Sequence, residues 1–206
     1  MKIKLIICTF GCLSILCNSL AGAAEIGLKG GLNFSNTYGQ PTATYFHGDN
    51  LLGYNVGLFG DIKLNDFLSV QPEASITLKG IQKSYGFDQN YYFTYLEIPV
   101  LLKVNFLTID LLKMNLLAGP YVSFLLQESY LNSYPLPNSP FTGTYNLLDV
   151  GYVLGISFEL ENVVLDCRFE NELNSFFNGY WTQTTPINDV RNSLFMISLG
   201  YKFLKL

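Results

Sequence analysis

LDCRFENEL, residues 165–173, alternates from end to end: Leu165, Cys167, Phe169 and Leu173 share one parity, Asp166, Arg168, Glu170 and Glu172 the other. Successive side chains of a strand point to opposite faces, so this is a two-faced strand with an apolar row and a charged row. In a sheet surrounded by water the charged row would face out. Whether it does so here depends on the rest of the chain.

Period-2 alternation dominates the 206 residues, and segments of helical period are nearly absent. Eight strands are predicted, over about 26–35, 52–63, 67–79, 91–105, 112–126, 148–160, 165–173 and 192–203. One face of each carries large apolar residues. The other carries Gly, Ser, Thr, Asn and almost every strand charge. Pro72, Pro99 and Pro120 fall inside these runs, where bulges or strand ends are expected to accommodate them. The predicted connections alternate between short ("LND", "FLTIDL", "EN") and long (36–51, 80–90, 127–147, 174–191). In an up-and-down antiparallel order this gathers the long loops at one end and the short turns, with both termini, at the other. Outer-membrane barrels have this layout.

The N-terminus reads separately. Lys2 and Lys4 precede an apolar run from Leu5 to Leu16 and the small-residue segment SLAGAA, the three-part layout of a secretory signal. Residues 1–24 are expected to be removed, which leaves 25–206 as one barrel domain. Cys8, Cys12 and Cys17 leave with the signal, and Cys167 alone cannot form an internal disulfide. Without Lys2 and Lys4, 10 basic residues remain of 12 against 16 acidic ones, a balance of −6 that argues against nucleic acid as a partner. Only 14% of residues are charged and 15% are aromatic, yet no stretch beyond Ala24 has the length and apolarity of a membrane helix. An exported, apolar chain of alternating strands fits a barrel in lipid.

The width of such a barrel decides its faces. Eight strands enclose an interior that side chains just fill. Phe, Tyr, Leu and Ile at most inward positions would overfill it, whereas small polar residues among a few long charged ones fit. The charged row of LDCRFENEL is therefore expected to point inward and the apolar row to lipid. The predicted inward charges number eight acidic (Asp61, Glu73, Glu97, Asp149, Glu159, Asp166, Glu170, Glu172) against seven basic (Lys29, Lys63, Lys79, Lys103, Lys113, Arg168, Lys202), close to neutral. The fold expected is all-β: an eight-stranded antiparallel up-and-down transmembrane barrel with a filled polar lumen.

Several stretches are similar to a known family. GLKGGLNFS (27–35), YLEIPVLLK (95–103), LLAGPYVSFLL (116–126), DVGYVLGISFEL (149–160) and the closing LGYKF (199–203) resemble, in order along nearly the whole mature chain, the PorT-type family of bacterial outer-membrane β-barrel proteins. The resemblance implies an eight-stranded barrel of the OmpA and OmpX kind in a bacterial outer membrane. It also implies a link to secretion, the role attributed to PorT itself. The final LKL departs from the terminal aromatic usual in such proteins.

Two groups of residues are candidates for function. Glu73, Glu97, Lys103, Arg168, Glu170 and Glu172 form a predicted lumen charge network, read either as an electrostatic plug or as a polar conduction path. The long loops are rich in aromatics, among them Tyr134, Phe141, Tyr180 and Trp181, which suit either the interfacial girdle or a surface for protein or glycan. No catalytic residue, cofactor site or metal site is expected. His47, the sole histidine, would have to carry any lipid-modifying chemistry, and no Ser or carboxylate is organised around it. The reading is a monomeric, non-enzymatic envelope protein in contact with outer-membrane lipid and, through its loops, with other envelope proteins or extracellular ligands. A small-solute channel and a lipid-modifying enzyme are the alternatives.

Overall fold

The computed structural model describes residues 24–38, 51–84, 88–131, 141–175, 177–181 and 185–206. They form ten strands: β1 (Ala24–Tyr38), β2 (Leu51–Lys63), β3 (Leu68–Ser84), β4 (Asp88–Ile109), β5 (Leu112–Leu131), β6 (Phe141–Tyr145), β7 (Leu148–Leu160), β8 (Val163–Glu172), β9 (Phe177–Trp181) and β10 (Thr185–Lys205). β1, β2, β3, β4, β5, β7, β8 and β10 pair in that order, all antiparallel, and β1 pairs with β10 to close the ring. Among the described residues no helix is long and apolar enough to cross a membrane; strands make the crossing.

β6 and β9 are what the sequence reading missed. It assigned 127–147 and 174–191 to loops, but FTGTY and FNGYW pair with each other, and β9 pairs with the first part of β10. β9 thus follows β8 along the same partner strand, and the wall rises beyond the ring on that side. Both segments set aromatics around one glycine, with two Thr in the first and one Asn in the second, a composition too short to register as alternation.

The short connections are 64–67, 110–111 and 161–162, and both described chain ends lie beside them. The second is tighter than the sequence suggests, because β4 runs on to Ile109 through a bulge at Asn105/Leu107. Asp110 and Glu161 take up the two-residue turns with φ of 50° and 55°, the left-handed region a two-residue hairpin demands of its first residue.

The prolines differ from expectation as well. None lies at a bulge or a strand end. Pro72, Pro99 and Pro120 sit opposite Val100, Tyr121 and Tyr152 in turn with no shift of register, while the ladder to the strand on their other side lapses at each. Bulges fall elsewhere, at Ile26/Gly27, Thr94/Tyr95, Asn105/Leu107 and Asn188/Val190.

Burial settles the faces. Leu58, Val100, Leu116, Leu154, Phe169 and Leu199 are each about half exposed, while Asp166, Arg168, Glu170 and Glu172 are fully buried. The charged row of the opening stretch points inward. Exposed aromatics form two belts: Phe34, Tyr54, Phe124, Tyr152 and Phe169 on the strands towards the loop end, and Phe106, Tyr201 and Phe203 with Phe67 of the 64–67 turn towards the turn end. Aliphatic residues fill the zone between them, as a lipid-facing wall requires.

Candidate functional site: the filled lumen

Inward positions of the strands converge on an axis with little room. Glycines on this face make way for large neighbours. A Cβ on Gly27 would lie 2.4 Å from the Phe59 ring, and one on Gly151 would lie 2.5 Å from the Tyr121 ring, so each aromatic rests directly over backbone. The interior is also less polar than the sequence reading held. Leu101, Leu117, Tyr121 and Val153 pack into an apolar cluster inside the barrel, and Phe59, Phe93 and Leu194 are buried too. These residues share the inward parity of Lys103, Asn115 and Gly151. Period 2 places Tyr121 on this face and suffices to place Leu101, Leu117 and Val153 there as well.

The charges fall into three groups. At the turn end, Lys202 lies 2.8 Å from Glu25, 2.9 Å from Asp61 and 2.9 Å from Glu159. Lys103 joins Asp61 at 2.6 Å and also pairs with Glu159, while Lys63 reaches Glu25 at 3.2 Å from a partly exposed position. In the middle, Arg168 donates from Nη1 and Nη2 to the two oxygens of Glu73, at 2.9 and 2.8 Å, and pairs with Asp166 beside it. Lys29 and the Gln71 amide (2.7 Å) complete the shell of Glu73. Two parallel N–H···O bonds fix a guanidinium and a carboxylate in one plane, the geometry with which arginine cross-braces a cavity.

At the loop end, Lys79 lies 2.6 Å from Glu97 and 3.5 Å from Glu172. Its ammonium also sits over the rings of Tyr95 and Tyr121, 4.9 and 5.2 Å from their centroids. The Thr77 hydroxyl donates to Glu97 at 2.6 Å; the backbone N–H and the side-chain amide of Asn192 donate to Glu172 at 2.8 and 2.9 Å. Asp149 accepts from the Tyr95 hydroxyl and, at 3.4 Å, from the Asn174 amide. Neutral amides link the levels, Asn55 donating to Asn33 at 2.6 Å and Ser198 to Asn55 at 3.1 Å.

The six network residues named from the sequence therefore divide. Glu73 and Arg168 meet in the middle, Lys103 belongs to the turn end, and Glu97, Glu170 and Glu172 lie at the loop end. Asp61, Glu159, Lys79 and Lys202 are equally part of the braces.

The near-neutral charge count does not survive. Lys113 is exposed at the turn end, Lys63 is partly exposed, and Glu25, which the predicted first strand began too late to include, is buried. Among the described residues, nine buried carboxyl groups face five buried cations.

Of the loop candidates, Phe141 pairs with Trp181 and Thr142 with Tyr180 in the β6–β9 register, so three of the four named aromatics lie on strands above the ring. Tyr134, His47 and residues 1–23 lie outside the described residues.

A closed antiparallel ring with an aliphatic outer zone, two aromatic belts and an ion-paired interior is a transmembrane β-barrel of the outer-membrane class. Residues 18–178 match the family described as outer membrane protein beta-barrel domain, and the chain belongs to that family. OprG from Pseudomonas aeruginosa shares the fold, with 13% identity over 89% of this chain and 97% of that one and a TM-score of 0.51. Neisserial surface protein A is similar in fold, with 15% identity over 88% and 99% and a TM-score of 0.50. Ail of Yersinia pestis, solved with the heparin analogue sucrose octasulfate, aligns at 15% identity over 88% and 99%, with a TM-score of 0.46. No curated protein matches the chain.

Proposed function

We propose that this barrel acts without catalysis, as an interaction or structural protein of the outer membrane whose activity lies in the segments beyond its loop-end rim. The observation that carries this reading is the lumen: three ion-paired groups and an apolar cluster occupy the axis that a solute would have to follow. A water-filled path needs a wider ring, since eight strands are just filled by their own side chains. The motifs similar to the PorT type support a narrower form of the same reading, a monomer that serves as an accessory near a secretion machine.

Reconstitution into planar bilayers tests it. The wild-type barrel is expected to stay silent, and crosslinking in intact membranes is expected to trap an envelope partner through the loop end. Stable, ion-selective openings would put a small-solute channel ahead of this reading. Loss of lipid turnover in a His47→Ala variant would put a lipid-modifying enzyme ahead of it.

A further inference from the structure

The excess of buried acid is not spread evenly. The turn-end group balances, Lys63, Lys103 and Lys202 against Glu25, Asp61 and Glu159, and so does the middle, Lys29 and Arg168 against Glu73 and Asp166. At the loop end one cation, Lys79, faces Glu97, Asp149, Glu170 and Glu172. Two of these carboxylates are well held: Glu97 by Lys79 and Thr77, Glu172 by Lys79 and Asn192. Asp149 accepts from Tyr95 and Asn174 through one part of its carboxylate only, and Glu170 accepts from no donor among the described residues. Glu170 is 2% exposed, and no hydrogen bond or ion pair to it exists among the described residues; its Oε2 is buried without a partner, as is Oδ2 of Asp149. A second, separate sign lies beside them. The Tyr121 hydroxyl and the Ser123 Oγ are also buried and unpartnered, Tyr121 among Glu97, Glu170 and Glu172, and Ser123 opposite both Glu97 and Asp149 in register.

An ionised carboxylate buried without a donor is among the costliest arrangements in a protein, and a like charge beside it adds to the cost. Something must neutralise it. No group of three or more acidic, His or Cys side chains among the described residues is placed to hold a metal ion. A proton needs no such cage. It also turns the carboxyl into a donor that a neighbouring hydroxyl or carboxylate can accept.

We propose that the loop-end tier is a proton-binding site, in which Glu170 holds a proton in the folded barrel at neutral pH and Asp149 is the second acceptor. The charged and titratable groups around Glu170 are Lys29 from β1, Lys79 from β3, Glu97 from β4, Tyr121 from β5 and Arg168 on its own strand, with Tyr95, Asp149 and Glu172 completing the tier. β2 and β10 face the tier with no charged side chain among the described residues; Leu51, Asn192 and Leu194 are what they bury there. When the proton leaves, Lys79 is the one cation among the described residues of the tier, Arg168 and Lys29 being already committed to Glu73 below it, and repulsion between Glu97 and Glu170 bears on β4 and β8 across the mouth of the barrel. The tier thereby makes the loop-end rim responsive to alkaline pH.

In the unfolded chain Glu170 ionises at about pH 4.3. Above that pH unfolding releases the proton, so the contribution of the site is full below this value and is lost as pH rises through the site's own titration. Infrared spectra of the detergent-folded barrel at neutral pH are expected to show the carbonyl stretch of a protonated carboxylic acid, sensitive to deuteration and lost in Glu170→Gln. In urea titrations at neutral pH, the unfolding constant of the wild type should rise with pH more steeply than that of Glu170→Gln, by about tenfold per pH unit for one proton. Asp149→Asn serves as the companion variant, and a migration shift on heating reports that each variant has folded. The proposal is overturned by equal slopes, by a wild-type spectrum without the acid band, by a band that survives in both variants, or by a stoichiometric metal ion retained after dialysis.

Discussion

Arg168 is the inward residue on which most of the middle of the barrel depends. It neutralises Glu73 and Asp166 together, and all three are buried. Arg168→Ala would leave two carboxylates with Lys29 alone; unfolding in urea should show a loss of about 3–5 kcal/mol, the cost of breaking a buried pair from one side. The opposite face makes the complementary test. Leu154, half exposed in the aliphatic zone between the aromatic belts, should resist charge. Leu154→Arg is expected to cost roughly 2–4 kcal/mol if its depth is near the membrane midplane, read as reduced folding into lipid vesicles. At this scale the alternation of LDCRFENEL was sufficient to orient every residue in it. The partners were not readable, because ion pairs such as Lys29 with Glu73 join positions distant in sequence whose meeting depends on the stagger of the strands around the ring.

The strands were legible where alternation runs long, and misjudged where it is short or interrupted. β6 and β9, with five residues each, are too short for alternation to separate from loop, and inward Leu101, Leu117 and Val153 are masked by the polar residues that share their face. The prolines were misread for a different reason. Pro72, Pro99 and Pro120 lie on three consecutive strands, each beside a lapse in the pairing ladder, so each missing N–H falls where the wall has no bond to lose. The tight turns carry a prediction of their own. Glu161 occupies left-handed backbone that L side chains pay to adopt, and glycine occupies it freely. Glu161→Gly should stabilise the barrel by roughly 0.5–1 kcal/mol net of chain entropy, and Glu161→Val should destabilise it by about 1–2 kcal/mol. The ranking of urea midpoints, Gly above Glu above Val, checks the turn.

For the molecule as a whole, wall and contents make one structure. Lys202 sits on the last strand, yet its ammonium touches Glu25 of the first strand, Asp61 of the second and Glu159 of β7. It works as a latch. Until β10 is in place, Asp61 and Glu159 have only Lys103 to neutralise them, and the mouth at the turn end carries surplus negative charge. Seating the final strand both completes the backbone ring and discharges that surplus, so an incompletely closed barrel differs from a finished one electrically as well as in shape. Lys202→Met, which keeps the bulk and removes the charge, should slow the appearance of the heat-shifted folded band on gels by more than it disturbs strand content in circular dichroism. Unchanged folding kinetics would mean that backbone pairing alone closes the wall. A barrel whose closing strand lacked Lys202 would hold Asp61 and Glu159 against Lys103 alone, a ring whole in outline and unsealed in charge.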